Sequence, residues 1–210
     1  MADWATISAL ATAGGTLVLA GATFASVRSA NRAARAAERS LLEGLRPLLM
    51  PSRPDDPPQK VHFADDVIVV ARGGGAVADT TDENIYLAVA VRNVGNGIAV
   101  LHGWHFYPEP QLAVRDHASL DEFVRLSRDL YVAPGDVGFW QGAFRDPATP
   151  EFAAAKAAIE ARQRVTLDVL YGDHEGGQRV VSRFGLWPRD DGAWMAAAVR
   201  HWNVDRPDPR

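Results

Sequence analysis

The start of the chain constrains the fold more than any other part of it. Residues 4–27 are 24 consecutive positions without a charged side chain, and Arg28, Arg32, Arg35 and Arg39 come after them. At about 1.5 Å of rise per residue, a helix of this length measures about 36 Å, which exceeds the roughly 30 Å hydrocarbon core of a bilayer. The pattern predicts a transmembrane anchor over residues 1–27.

The segment is apolar without being strongly hydrophobic, so two other interpretations are open. Its strongly apolar residues favour insertion by about 2 to 4 kcal/mol, and the Gly, Thr and Ser residues reduce that gain. The residues before it, Met1, Ala2 and Asp3, lack the positive charges with which secretion signals begin, so a cleavable signal peptide is disfavoured. A buried helix of a soluble bundle is the other alternative.

The charges on either side of the segment predict its orientation. The N-terminal flank carries Asp3 and no Lys or Arg, whereas the C-terminal flank is rich in arginine. Positive flanks stay in the cytoplasm, so we expect a single-pass protein of the inner (cytoplasmic) membrane with its N-terminus outside and its C-terminal domain in the cytoplasm. The absence of cysteine is compatible with a reducing compartment, and the scarcity of lysine suggests a GC-rich bacterial genome.

Residues 28–46 are predicted to continue the helix beyond the membrane as an amphipathic, arginine-rich segment. One apolar stripe recurs at spacings of three and four, formed by Ala30, Ala34, Ala37, Leu41, Leu45 and Leu48. The arginines beside the stripe, Arg28, Arg32, Arg35 and Arg39, are candidates for contact with anionic lipid headgroups, at about 1 kcal/mol each. The stripe itself is explained as well by packing on the protein's own domain or by a short coiled coil.

Small residues four apart occur within the predicted span and permit close helix approach. The pairs are Ala9 with Ala13, Ala11 with Gly15, and Gly21 with Ala25. Such pairs are typical of helix–helix contacts in membranes, although they also arise by chance in a segment rich in Ala and Gly. Self-association of the chain into a homo-oligomer through the span is therefore one possible interaction.

The rest of the chain has the periodicity of a β domain. Pro47 begins a proline-rich stretch that ends the helix, and residues 47–210 suffice for one domain with its own core. Apolar residues alternate or run continuously over short segments bounded by turn residues, which is the pattern of strands. The predicted strands cover residues 48–50, 67–71, 85–92, 98–107, 137–140, 165–171, 180–187 and 194–202.

Two short helical insertions are predicted between these strands. Ser119 is placed as the N-cap of a helix over the residues up to about Leu126, with two acids in its first turn. Thr149 caps a second helix, which has Pro150 at its first position and runs to about Arg162. A mainly β chain with only two minor helices indicates a β-sandwich of immunoglobulin-like type.

Three stretches carry a resemblance to known proteins. They are the apolar span with its arginines, the corner RNVGNGIA at residues 92–99, and the hairpin LDVLYGDHEGGQRVVSRF at residues 167–184. Together they resemble a group of uncharacterised single-span bacterial membrane proteins with a C-terminal immunoglobulin-like β-sandwich. The resemblance implies a topology, and it transfers neither a catalytic residue nor a cofactor.

One cluster of polar residues offers an alternative reading as an enzyme. Asp173, His174 and Glu175 stand together in a predicted turn, and His201 lies near them if the last strand pairs with this hairpin. They would serve a membrane-tethered hydrolase or metal-dependent enzyme. A solvated hairpin turn explains the same residues and is favoured, because turns between glycines are normally polar.

No metal or cofactor site is predicted. His102 and His105 are three apart in a predicted strand, which places them on opposite faces and disfavours a shared metal ion. A structural zinc site would also need further nitrogen or sulfur ligands, and the chain has no cysteine.

The tryptophans suggest a surface for a protein partner. Trp187, Trp194 and Trp202 lie near strand ends beside polar residues, and aromatic side chains are enriched at protein interfaces as well as in cores. The net charge of −4 argues against a nucleic-acid-binding domain. The sequence therefore favours a non-enzymatic, membrane-anchored interaction module that contacts lipids and a protein partner.

Overall fold

The computed structural model describes residues 3–112 and 114–206, and the chain divides into two compact units at Gly44 and Leu45. The first unit is the helix α1 (Trp4–Gly44). Its large apolar side chains are exposed, including Leu10 at 70%, Leu17 at 74% and Val18 at 73%. Within the described part of the chain, α1 is the one helix long and apolar enough to cross a membrane.

The second unit is built mainly of strands. They are β1 (Leu49–Pro51), β2 (Gln59–His62), β3 (Ile68–Ala71), β4 (Gly75–Thr80), β5 (Ile85–Asn93), β6 (Ala99–Tyr107), β7 (Val124–Val132), β8 (Val137–Phe144), β9 (Val165–Gly172), β10 (Arg179–Pro188) and β11 (Trp194–Asn203). A 3₁₀ turn (Leu120–Glu122) precedes β7, and a helix α2 (Pro150–Glu160) joins β8 to β9.

Nine of these strands form one curled antiparallel sheet. The order of neighbours is β1-β5-β4-β11-β10-β9-β6-β7, and β8 pairs with β5 over the whole length of Ile85 to Arg92. Because β4 pairs with the same part of β5, β8 occupies the opposite edge of that strand. The two ends of the sheet are therefore β7 and β8, which are consecutive in the chain.

The apolar core lies inside the curl. Its largest fully buried side chains include Trp140, Tyr171 and Phe184, and α2 packs Phe152 and Ile159 into the same cluster. A second cluster lies on the outer face, where the β2–β3 hairpin covers part of β5 and β8. A third cluster on the outer face gathers residues of β10, β11 and the segment before β7: Ala118, Phe123, Val181 and Trp202.

The structure confirms a mainly β chain with a long apolar N-terminal helix and a second short helix. Thr149 caps α2 as expected, because its side chain accepts a hydrogen bond from the Phe152 amide. Nine strands form one curled sheet, and the other two form a separate hairpin. This strand order does not establish the predicted immunoglobulin-like topology.

The segment after Ser119 departs from the predicted helix. Only a three-residue 3₁₀ turn forms, and the chain then extends as β7. The Ser119 hydroxyl is bonded to the Asp121 carboxylate and caps no backbone amide. Phe123 enters the outer cluster while Leu126 and Leu130 pack against the inner core, so burial on both sides of an extended chain replaces the helix.

Candidate functional site

A single buried asparagine organises the corner from which the candidate site opens. Asn93 is fully buried at the end of β5. Its amide group and its backbone are hydrogen-bonded to three segments of the chain, at residues Leu48, Gly95, Gly97, Val132, Gly135 and Asp136. A methyl group at Gly95 or Gly97 would overlap the backbone of residues 45–48, which explains the two glycines of this corner. Asn93 thereby fixes the turn that joins β7 to β8.

Strands β7 and β8 leave this turn as a hairpin that does not close. Gly135 takes a positive φ of 75°, as a tight turn requires. Next to the turn the strands touch, because the Val132 side chain fills the place of a Gly138 Cβ. Farther out, no strand pairing between β7 and β8 is found among the described residues. The sheet therefore has an open seam between its two end strands.

The seam contains a chamber of about 340 Å³, which we call the seam groove. Its walls are residues 124–128 and Leu130 of β7 and residues 141–143 of β8, together with Phe63, Ala64, Trp104 and Arg145. The Trp104 ring packs edge-on against Trp140 and against Phe144. A Cβ at Gly142 would come within 2.9 Å of both tryptophan rings, so only glycine leaves room for this buried aromatic floor.

A wider chamber of about 910 Å³ adjoins the seam groove and shares Trp104, Val124, Ala143 and Arg145 with it. Its remaining walls come from the 3₁₀ turn, the ends of β6 and β8, and the connection from β8 into α2. The charged groups there are mixed, since Glu122, Asp146 and Glu151 line it together with Arg145.

The charges that line the seam groove are all positive. They are Arg125, Arg128 and Arg145, and of the residues that the structure describes no Asp or Glu lines this chamber. Arg128 donates to neutral acceptors, the carbonyl of His62 at 3.0 Å and the Gln141 side chain at 2.9 Å. Across the described residues neither Arg125 nor Arg128 forms an ion pair.

Arg145 alone among the three is neutralised. It donates to the Asp65 carboxylate at 2.6 Å, and the Tyr86 hydroxyl donates to the same oxygen at 2.5 Å. These hydrogen bonds, that of Arg145 first, lower the pKa of Asp65 to about 2. The Arg125 and Arg128 side chains are left as the positive groups available to a ligand.

The fold does not bring together the residues of the alternative, enzymatic interpretation. Asp173 is buried and its carboxylate accepts from the Gly177 amide, which stabilises the β9–β10 turn, while His174 and Glu175 are exposed on that turn. His201 pairs in register with Ser182, and Ser182 with Val169, four residues before Asp173. At about 3.3 Å per residue, Asp173 lies about 13 Å farther along the sheet than His201.

His201 belongs instead to a buried chain of hydroxyl groups. Its Nδ1 is 2.6 Å from the Ser182 hydroxyl, which is 2.7 Å from the Tyr171 hydroxyl, which in turn accepts from the Leu49 amide. Burial raises the pKa of Tyr171 to about 12, so the phenol stays protonated. Ser182 is fully buried, which keeps its hydroxyl away from any substrate in solution.

The two histidines of β6 do not alternate as a regular strand would place them. The pairing of β6 is irregular between Leu101 and Gly103, so the core positions are Leu101 and then Trp104. This bulge removes the simple alternation on which opposite faces were expected. His102 lies beside Gly172, where burial lowers its pKa, whereas the His105 ring packs on Tyr107 and Phe123. No group of residues suited to hold a metal ion occurs in the described part of the chain.

Two of the three tryptophans predicted as a partner surface are buried. Trp194 and Trp202 are each 4% exposed. Arginines of this chain lie over both rings: Arg162 is 4.8 Å from the centre of Trp194 and Arg183 is 4.8 Å from that of Trp202. The prediction therefore rests on Trp187, which is partly exposed at the end of β10.

The arginines predicted to contact lipid lie in the second half of α1. Arg28, Arg32, Arg35 and Arg39 are exposed along one continuous helix, with no break between the predicted span and the predicted juxtamembrane segment. The small-residue pairs lie in the first half of the same helix.

Sequence reasoning did not find the seam groove. Arg125, Arg128 and Trp104 are far apart in the chain and match no motif. The available signal was the pattern of residues 124–132, in which apolar and charged side chains mix as they do on an exposed edge strand.

No protein family matches the sequence, and no curated protein matches it. Among solved structures, a protein from Archaeoglobus fulgidus is similar over 63% of this chain and 95% of its own, with 10% identity and a TM-score of 0.24. A structural-genomics target, SoR45, is similar over 65% of this chain and 84% of its own, with 10% identity and a TM-score of 0.23.

Proposed function

We propose that this protein is a membrane-anchored interaction module without catalytic activity, in which α1 holds the β domain at a membrane and the seam groove binds a protein partner. The observation that carries the proposal is the exposure of the uncharged part of α1, residues 4–27. Side chains such as Leu10, Leu17 and Leu19 are about 70% exposed. Exposed apolar area costs about 25 cal/mol per Å² in water, so a helix of this kind favours lipid as its surroundings.

The flanking charges support a specific orientation. With the arginines at residues 28, 32, 35 and 39 against anionic headgroups, the span crosses the inner membrane once and the β domain lies in the cytoplasm. The single-span bacterial proteins that the sequence resembles would share this arrangement. Self-association through the small residues of the span is compatible with this arrangement.

The anchor is tested by fractionation. The full chain is expected to sediment with membranes and to resist extraction with sodium carbonate, and the chain lacking residues 1–27 is expected to stay in the supernatant as a folded protein. A full chain that remains soluble without detergent, or a shortened chain that aggregates, contradicts the proposal. A cysteine placed at Ala2 or at Arg206, labelled with an impermeant maleimide in intact cells, reports the orientation: only the Ala2 position should react.

The interaction site is tested by photo-crosslinking in the cells that make the protein. A photoreactive side chain replaces Val124, which is 51% exposed in the wall of the seam groove, or Ile68, a matched control that is 53% exposed on β3. We expect a discrete crosslinked protein in the membrane fraction from position 124 and not from position 68. Equal labelling at both positions, or none at position 124, refutes the seam groove as the interaction site.

A further inference from the structure

The seam groove exposes a free strand edge that is regular along its length. Strand β8 pairs with β5 without interruption from Val137 to Phe144. Half of the backbone N–H and C=O groups of an edge strand point away from its only neighbour. On β8 those groups face the seam, where no strand pairs with them within the described chain.

The opposite wall is irregular and can adapt. The pairing of β7 with β6 passes directly from Leu130 opposite Leu101 to Arg125 opposite Gly103. Residues 126–129 therefore stand outside the ladder between these strands. Because no ladder pairing holds them against β6, their backbone groups can turn towards a new strand.

One side chain bridges the seam in place of backbone hydrogen bonds. Counted from the turn, Arg128 and Gln141 stand opposite each other, and their side chains are joined at 2.9 Å. An inward-facing charge on an edge strand is a common device against unwanted strand addition. Here the Arg128–Gln141 hydrogen bond spans the seam, and a ligand breaks it by offering Arg128 a stronger, charged acceptor.

From these features we propose that the seam groove binds an extended, acidic segment of a partner protein by strand addition. This rests on the interaction module proposed above and names the partner's chemistry. The segment pairs its backbone with the free edge of β8, and its carboxylates face Arg125 and Arg128. Alternate side chains point inwards, where the partly exposed Leu126, Leu130 and Ala143 receive an apolar residue.

Charge complementarity selects an acidic occupant over a basic or neutral one. Three arginines and no carboxylate line the chamber, and two of the three have no ion pair among the described residues. A basic segment would meet the like charges of Arg125 and Arg128 on the β7 wall. The free β8 edge in turn favours an extended peptide over a compact anion, because only a peptide backbone satisfies a row of strand donors and acceptors.

The test uses a random library of displayed 12-residue peptides, selected against the full chain in detergent micelles. Selected peptides are expected to be enriched in Asp and Glu and to carry a single apolar residue flanked by them. The best of them is then synthesised in three forms: unchanged, with its acids replaced by the corresponding amides, and with alternate backbone nitrogens methylated. Binding is measured by fluorescence anisotropy, and we expect both altered peptides to bind at least about tenfold more weakly.

The protein side is tested with Arg125→Glu, which changes an exposed side chain that forms no ion pair within the described residues, so we expect the fold to stay intact. We expect about tenfold weaker binding of the acidic peptide, and a greater loss for Arg125→Glu with Arg128→Glu. The matched control, Arg72→Glu with Arg189→Glu, makes the same change of charge away from the seam and should not alter binding.

Several results overturn the proposal. They are a selection without enrichment, enrichment of basic or uncharged peptides, full binding by the methylated peptide, or equal binding by Arg125→Glu. A crosslink at position 124 combined with any of these leaves the interaction module standing and refutes only the acidic strand. If no crosslink forms at position 124 but an acidic peptide still binds, the proposed interaction in cells is refuted and the proposed chemistry of the groove stands.

Discussion

The buried ion pair between Asp168 and Arg183 provides the sharpest prediction about stability. Both side chains are fully buried, and two hydrogen bonds of 2.7 and 2.8 Å join them. Burial opposes the charge of Arg183, but the hydrogen bond and the charge of Asp168 outweigh that effect and raise its pKa. The pair holds opposite charges in a region that water does not reach.

The remaining donors of Arg183 hold a long connection in place. They reach the backbone carbonyls of Leu112, Arg115 and Asp116 at 3.3, 3.0 and 3.1 Å. The segment between β6 and β7 is thereby tied to the outer face of the sheet. Loss of Asp168 removes the charge that balances Arg183, and the guanidinium is then buried with neutral acceptors only.

We expect Asp168→Asn to destabilise the β domain by about 3 to 5 kcal/mol, the usual cost of breaking a buried pair from one side. For a domain of this size, each kcal/mol lowers Tm by about 2 to 4 °C, so the expected decrease is about 6 to 20 °C. The assay is urea and thermal unfolding of the full chain in detergent, followed by tryptophan fluorescence, since Trp202 lies against Arg183.

A matched pair of variants separates burial from charge. Asp82→Asn breaks the ion pair between Lys156 and the fully exposed carboxylate of Asp82, and it should leave Tm unchanged within error. Asp168→Asn combined with Arg183→Gln removes both charges and should cost less than the sum of the single changes. Loss of under about 1 kcal/mol in Asp168→Asn refutes the reasoning, because it would mean that the pair contributes no more than a surface one.

Three further changes test other parts of the fold. Tyr171→Phe leaves the buried Leu49 amide without its acceptor and should lower the free energy of unfolding by about 1 to 3 kcal/mol, measured by urea unfolding. As a control, Ser119→Ala should have little effect, because Ser119 caps no amide. Thr149→Ala removes the N-cap of α2 and should cost about 1 kcal/mol, restored in part by Thr149→Ser; an unchanged midpoint contradicts the role of the cap. Arg145 and Tyr86 lower the pKa of Asp65 to about 2, so the stabilising contribution of Asp65 is present above pH 4 and is lost as the pH falls from about 4 to 2. Asp65→Asn should therefore flatten the pH dependence of Tm in that window. An unchanged pH profile of Tm refutes the assignment.

The elements that the sequence predicted best are those fixed by local rules. Continuous or alternating apolar residues marked β5, β6, β9, β10 and β11 to within a residue or two, and Thr149 with Pro150 marked the start of α2. The helix expected after Ser119 failed because an apparent cap and acidic first turn were outweighed by burial of Phe123 and Leu126 on opposite sides of an extended chain. The bulge at His102 was equally invisible, because it depends on the strands beside β6.

By itself, the sequence determined that this chain begins with a helix able to cross a membrane and continues as a β-rich domain, because uncharged length and apolar periodicity are properties of neighbouring residues. Only the tertiary structure decided that β7 and β8 end the sheet and face each other across an open seam. Strand neighbours are chosen by packing between distant parts of the chain, and the groove, its three arginines and its aromatic floor exist only once that choice has been made.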